Sequence, residues 1–179
     1  MKTTLVTDWT ISDICKGFTF SKEDNKGLFG LSGRLTIQPE YQRNYIYDIG
    51  NKDKAVMQTI MKGCPIGLMY FVKIDEDTYE VLDGQQRITS IGRFVNETYP
   101  FSIEDSEGNP RYFSSLSKEE QNKILQTPLT IYICEGTPKE IEEWFHIINL
   151  QGVPLSEQEI RNASYHGPFV SLAREYFSN

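Results

Sequence analysis

The sequence has few cysteines, no long apolar run and no excess of positive charge. Its three cysteines, Cys15, Cys64 and Cys134, lie far apart, which excludes the close pairs of a zinc site and the even set of a disulfide framework. We therefore expect three buried or inert thiols in a reducing cytosol. No stretch approaches the roughly 18 apolar residues of a spanning helix, and residues 1–20 lack the apolar centre of a signal peptide. The composition thus predicts a cytoplasmic protein that does not engage a membrane.

The net charge restricts the partners. It is −7, whereas proteins that hold duplex DNA unaided cluster Lys and Arg against its phosphates. We expect DNA to be reached only through another domain or subunit. The 179 residues and the hydrophobic content of 39% predict one folded domain over residues 1–179. We expect this domain to be the N-terminal part of a longer protein, or a reduced relative that needs a partner. The expected partners include a second copy of the chain, in a homodimer.

The spacing of apolar residues predicts an α+β fold with a small mixed sheet and surrounding helices. Strands are predicted at residues 34–38, 68–72, 79–82 and 129–134, the second and third of them paired as a hairpin. Helices are predicted at residues 8–16 and 52–62, and from residues near 85, 117, 137 and 156, with a last amphipathic stretch over 169–177. Residues 101–113 are expected to form a loop or a loose hairpin.

The junction between the third strand and the next helix carries the strongest chemical signal, the sequence DGQQR at residues 83–87. A strand that becomes a helix at a glycine aims free backbone N–H groups beyond the strand end, which suits a phosphate. Arg87 would add a bidentate cation, and Asp83 could hold a metal or orient water. The same residues also fit plain helix capping, in which Arg87 is solvated or ion-paired.

Aromatic and histidine residues leave further alternatives. Tyr41, Tyr45 and Tyr47 could stack on a base or simply fill the core. His146 lies beside two aromatic residues on a predicted helix, and we expect it to pack rather than to react. With His166 as the only other histidine and no cluster of metal ligands, DNA cleavage by this chain alone is not expected.

Three blocks, in order, resemble the N-terminal domain of GmrSD-type modification-dependent restriction enzymes. Residues 37–45, IQPEYQRNY, look like the family's early glutamine-arginine-aromatic motif, and DGQQR at 83–87 matches its signature. Residues 145–156, FHIINLQGVPLS, followed by Glu159 and Arg161, resemble its third block. Together the blocks cover most of the chain.

The resemblance implies a ParB/sulfiredoxin-like fold whose strand-to-helix turn binds nucleotide phosphates. It implies catalytic roles for Asp83, Gln86 and Arg87. It implies a nucleotide-binding set made of Gln42, Arg43, Gly84, Gln85, Arg87, Asn149, Glu159 and Arg161. The implied ligand is a nucleoside triphosphate with Mg²⁺, without a separate metal site in the protein. Because the turn lacks the catalytic cysteine of sulfiredoxin, reduction of sulfinic acids is not expected.

Two functions stay open at this point. The first is an NTP-binding and hydrolysing regulatory domain of a DNA-modification-dependent restriction or phage-defence system. The second is a DNA-sensing or assembly module, gated by a nucleotide or independent of one, without turnover. The first needs Arg43 and Arg87 to converge on one pocket, since a triphosphate requires more neutralisation than one arginine provides.

Overall fold

The structure is a computed structural model that describes residues 1–38, 45–47, 51–97, 101–105 and 107–150, with side chains up to residue 147. Its strands are β1 (Lys2–Val6), β2 (Thr19–Ser21), β3 (Lys26–Gly30), β4 (Leu35–Thr36), β5 (Met69–Lys73), β6 (Tyr79–Asp83), β7 (Ile103–Glu104), β8 (Pro110–Arg111) and β9 (Ile131–Glu135). Its α-helices are α1 (Ile11–Cys15), α2 (Lys52–Met61), α3 (Gln85–Asn96), α4 (Lys118–Leu125) and α5 (Pro138–Leu150). This content confirms the α+β class.

A mixed sheet of seven strands, in the order β1-β9-β5-β6-β4-β3-β2, forms the centre of the fold. The predicted hairpin is present, because β5 pairs antiparallel with β6 and places Phe71 opposite Val81. Strands β9 and β4 flank this hairpin and run parallel to β5 and β6 respectively. Strands β1, β2 and β3 were not predicted, whereas the loose hairpin expected in residues 101–113 exists as β7 and β8. The junction of β6 with α3, which we call the corner (residues 83–87), therefore lies at the end of an inner strand of the sheet.

Local sequence signals explain where the helices begin. Ser117 caps α4, with its hydroxyl accepting from the backbone N–H of Glu120 while the Glu120 carboxylate accepts from the backbone N–H of Ser117. Thr137 and Glu140 form the same reciprocal pair before α5. Such a pair satisfies N–H groups that have no partner inside the helix. The predicted starts of both helices are thereby confirmed.

The main core lies between one face of the sheet and the helices α1 to α4. Phe71 and Val81 of the sheet are fully buried, and Ile88 and Ile91 of α3 are buried in the same cluster. Burying each side chain of this size contributes roughly 1.5–3 kcal/mol. Because α3 supplies several such contacts, its first turn is held firmly against the end of β6.

The thiols differ in exposure. Cys15 and Cys134 are buried, while Cys64 is exposed, and all three are free. Burial raises the pKa of the Cys15 thiol to about 12 and also raises the pKa of Cys134, so neither ionises near neutral pH. The expected inertness therefore has a physical basis at Cys15 and Cys134. Within the described ranges, no helix is long and apolar enough to cross a membrane.

Candidate functional site

The predicted strand-glycine-helix corner is present. Strand β6 ends at Asp83, α3 begins at Gln85, and Gly84 alone joins them with φ +107° and ψ 0°. An L side chain rarely adopts this backbone. A Cβ at Gly84 would also lie 2.6 Å from Cγ of Met69, which is fully buried. Both the turn and the close packing beneath it thus require glycine.

Arg87 lies in the first turn of α3 and is held from two sides. Its Nη2 donates to Oδ2 of Asp83 at 2.9 Å, and its Nη1 donates to the backbone carbonyl of Ile66 at 2.9 Å. The Arg87 side chain is 19% exposed and the Asp83 side chain 47% exposed. Of the alternatives left by the sequence, ion pairing describes Arg87 and solvation does not. A guanidinium has more N–H donors than these two bonds use, so it can still bind an anion.

The segment that receives Arg87 is shaped by another glycine. Gly67 has φ +89°, and a Cβ there would lie 2.8 Å from Nη1 of Arg87. The chain before β5 lies so close to the guanidinium that a side chain at residue 67 would require Arg87 to shift. Neither this glycine nor the carbonyl of Ile66 was among the predicted site residues.

The two glutamines of the corner point inward. Gln85 and Gln86 are 9% and 6% exposed. Oε1 of Gln86 accepts the backbone N–H of Ile46 at 2.9 Å, so this side chain ties the 45–47 segment to the start of α3. The contact gives Gln86 a positioning role, while its catalytic role stays a prediction.

The tyrosines near the corner have different roles. Tyr45 is 1% exposed, its hydroxyl lies 2.8 Å from Oγ of Ser90, and burial raises its pKa. Tyr45 therefore fills the core. Tyr47 is only partly buried and lines a cavity beside Arg87. Tyr41 lies outside the described residues.

An aromatic cluster adjoins Asp83 and was not predicted. Tyr70 lies opposite Asp83 in the β5–β6 pairing, its ring stacks on Tyr132 at 5.9 Å, and it meets the ring of Trp144 edge-on at 6.1 Å. Burial, and then the Asp83 carboxylate, raise the pKa of Tyr70. Its hydroxyl therefore remains protonated at neutral pH and can donate a hydrogen bond near Asp83.

Two cavities of different character flank this region. One of about 300 Å³ is lined by Arg87 together with Lys52 and Tyr47. Another, of about 380 Å³ and against α5, is largely apolar and has Glu80, Glu142 and Lys73 in its lining. The charges in these linings favour an anion in the first cavity more than in the second.

The structure does not describe the side chains of the remaining predicted site residues. Gln42, Arg43, Glu159 and Arg161 lie in residues that the structure does not describe, as does the side chain of Asn149. The convergence of Arg43 with Arg87 therefore stays a prediction.

Metal ligands and histidine add little to the site in the part of the chain that the structure describes. No group of three or more His, Cys, Asp or Glu residues there could hold a metal ion. His146 is 34% exposed on α5, with Nε2 4.0 Å from Oε1 of Glu142. Its ring lies 6.4 Å from the ring of Phe145, so this histidine is a partly buried helix residue, and its lack of a catalytic role stays a prediction.

Comparison with known families gives a match over most of the chain. The family model described as GmrSD restriction endonuclease, N-terminal domain, matches residues 19–166. This range contains the whole corner and most of the 179-residue chain. Comparison with curated proteins and with solved structures gives no match.

Proposed function

The chain belongs to the family of the N-terminal domain of GmrSD restriction endonuclease, and from this premise we propose that it binds and hydrolyses a nucleoside triphosphate. In this proposal it is the regulatory domain of a DNA-modification-dependent restriction or phage-defence system. The observation that carries the proposal is the placement of Arg87 at the glycine corner, between a half-exposed Asp83 and a cavity lined by cations.

Phosphate binding follows from the local electrostatics. The first turn of a helix presents N–H groups and the positive end of the helix dipole, which attract an anion. Gly84 provides no side chain that could cap these groups. Arg87 lies in the same turn, and its planar guanidinium donates hydrogen bonds in a geometry that suits phosphate oxygens. A phosphate at the corner would thus meet amides and a guanidinium together.

Hydrolysis requires a group that acts on water, and Asp83 is the candidate. In the reaction, a water oxygen bonds to the γ-phosphorus, the bond from that phosphorus to the bridging oxygen breaks, and the diphosphate leaves with the electron pair. The released proton passes to a carboxylate or to the phosphate product. Oδ2 of Asp83 accepts from Arg87 while the side chain stays half-exposed, so the carboxylate remains accessible to water.

The residues fit Mg²⁺ only as a companion of the nucleotide. The described part of the chain offers no set of three ligands, whereas Mg²⁺ in such sites is held by one or two carboxylates together with substrate phosphates. Asp83 is the residue that would hold it. The ion would neutralise part of the phosphate charge.

A second candidate function is a nucleotide-gated sensing or assembly module without turnover. The 2.9 Å pair between Asp83 and Arg87 favours it, because the contact explains the presence of Asp83 without a catalytic role. In either case the net charge of −7 favours DNA contact through another domain or subunit.

The test compares wild type with Asp83→Asn in phosphate release and in binding of ATP, GTP, CTP and UTP with Mg²⁺. The asparagine keeps an acceptor for Arg87 but removes the carboxylate. We expect phosphate release to fall by about 100-fold or more, with nucleotide binding weakened far less, because the nucleotide phosphates also hold Mg²⁺. Asp77→Asn is the matched control, since Asp77 forms an exposed ion pair with Arg34 at 2.7 Å.

The outcomes separate the two functions. Wild-type protein that binds a triphosphate but never releases phosphate supports the module without turnover. Folded wild-type protein that binds none of the four nucleotides refutes both nucleotide-dependent readings.

A further inference from the structure

The cavity beside Arg87 has a second cation, Lys52, in its lining. We define the Lys52 pocket as the cavity of about 300 Å³ whose lining includes Lys52, Arg87, Tyr47, Val56 and Ile66. Among the described residues, its lining has two cationic side chains and no carboxylate. Its other walls are mainly apolar. A pocket of this composition takes an anion in preference to a cation or a neutral group.

Lys52 is not explained by the stability of its own helix. It is the first residue of α2, where a positive charge opposes the helix dipole. Its Nζ lies 5.8 Å from the centroid of the Tyr47 ring, a contact that orients the ammonium. Among the described residues Lys52 forms no ion pair, whereas Lys54 on the same turn pairs with Glu104 at 3.3 Å.

The size of the pocket indicates how much of a ligand it holds. At about 300 Å³ it lies at the lower end of the range for small-molecule sites. It therefore takes part of a nucleotide rather than all of it. Because Arg87 borders both the corner and the pocket, a phosphate chain that begins at the corner has a direct route into the pocket.

Resting on the proposed function, we propose that the terminal phosphate of the nucleoside triphosphate lies between Lys52 and Arg87. Lys52 then contacts a phosphate that triphosphates have and monophosphates lack. It acts as a specificity-determining residue for the length of the phosphate chain. Tyr47 orients it through the contact between ammonium and ring.

The experiment measures dissociation constants by calorimetry for the mono-, di- and triphosphates of adenosine, guanosine, cytidine and uridine with Mg²⁺. Wild type is compared with Lys52→Gln, Lys52→Arg and the control Lys54→Gln. Lys54→Gln removes the same charge from the same turn of α2, at a side chain that faces Glu104. Thermal unfolding of every variant confirms that it is folded.

We expect Lys52→Gln to weaken triphosphate binding roughly tenfold or more, the effect of losing one charge-assisted hydrogen bond. Monophosphate binding stays unchanged, Lys52→Arg retains most of the preference, and Lys54→Gln retains all of it. Inorganic triphosphate competes with the nucleotide on wild type and competes less well on Lys52→Gln.

Two results would overturn the inference while leaving nucleotide binding intact. One is a Lys52→Gln protein whose ratio of triphosphate to monophosphate affinity equals that of wild type. The other is an equal loss in Lys52→Gln and Lys54→Gln, which would reveal a general charge effect. If wild type binds no nucleotide, the proposed function fails first and the inference fails with it.

Discussion

Gly84 joins β6 to α3 through a backbone conformation that other residues adopt only under strain. Its φ of +107° and the 2.6 Å approach of a Cβ to Met69 are separate obstacles to a side chain. Gly63 provides a reference, because it has φ +74° and no atom within 4 Å of a built Cβ. Comparing substitutions at Gly63 and Gly84 therefore separates the cost of the left-handed backbone from the cost of packing against Met69.

We predict that Gly63→Ala lowers the free energy of unfolding by about 1–2 kcal/mol, the strain of the left-handed backbone. Gly84→Ala carries a comparable strain and adds an overpacking cost of about 1–3 kcal/mol against Met69. Urea unfolding of both variants measures the difference. Equal losses would show that the packing beneath the corner does not constrain residue 84.

Within the site, only contacts between residues close in sequence could be predicted from the sequence. The contact between Asp83 and Arg87 joins residues four apart in sequence and lies within the DGQQR pattern, although the pattern left the partner of Arg87 open. Ile66 reaches Arg87 across 21 residues and Ile46 reaches Gln86 across 40. Contacts at such separations depend on how the strands pair. No local pattern in the sequence could have indicated them.

Helices were more predictable than strands at the scale of elements. The starts of α4 and α5 follow from capping residues, and α3 follows from the apolar spacing after the corner. In contrast, β1 is exposed along almost its whole length and shows no alternation of burial. It is a strand because β9 pairs with it.

Strand β3 was missed for a different reason. Its sequence KGLFG contains Gly27, and a Cβ there would lie 2.6 Å from Oγ1 of Thr89 on α3. The glycine allows the sheet and the helix to approach closely. In the sequence alone the same residue indicates a loop. The glycine that packing requires in this strand is therefore a residue that local sequence patterns assign to loops.

The hairpin β7–β8 is tied to α4 by one ion pair. Both carboxylate oxygens of Glu120 accept from the Arg111 guanidinium, at 2.9 and 2.8 Å, and Glu120 also accepts from the N–H of Ser117. The Arg111 contact, followed by the bonds from Ser117, holds the pKa of the Glu120 carboxyl at about 2. Its value in an unfolded chain is about 4.3.

This lowered pKa predicts a pH dependence of stability. The contribution of Glu120 is present above about pH 4.3 and is lost as the pH falls towards about 2, because the unfolded chain takes up the proton first. We expect Glu120→Gln to be less stable than wild type at neutral pH and to lose less stability on acidification across this window.

Urea midpoints at several pH values measure the effect. Glu119→Gln is the control, since Glu119 is exposed in the same first turn of α4. Acid dependences of Glu120→Gln and wild type that run parallel through this window would contradict the assignment.

For the whole molecule, the net charge and the local charge have opposite signs. The chain carries −7 overall, yet Lys52 and Arg87 line one cavity whose described lining residues include no carboxylate. The negative potential of the whole chain therefore does not attract a polyanion, and its binding depends on the positive charges of Lys52 and Arg87. Family membership and fold class could be predicted from the sequence. The Lys52 pocket could not, because it forms where α2 and the segment before β5 meet.

A crystal structure of the wild-type protein with a non-hydrolysable triphosphate analogue and Mg²⁺ tests phosphate binding at the corner most directly. We predict a phosphate oxygen about 2.7–3.2 Å from the Arg87 guanidinium, with the first N–H groups of α3 facing the same phosphate. A structure in which the analogue binds elsewhere, and Arg87 keeps only its bonds to Asp83 and Ile66, would contradict this prediction.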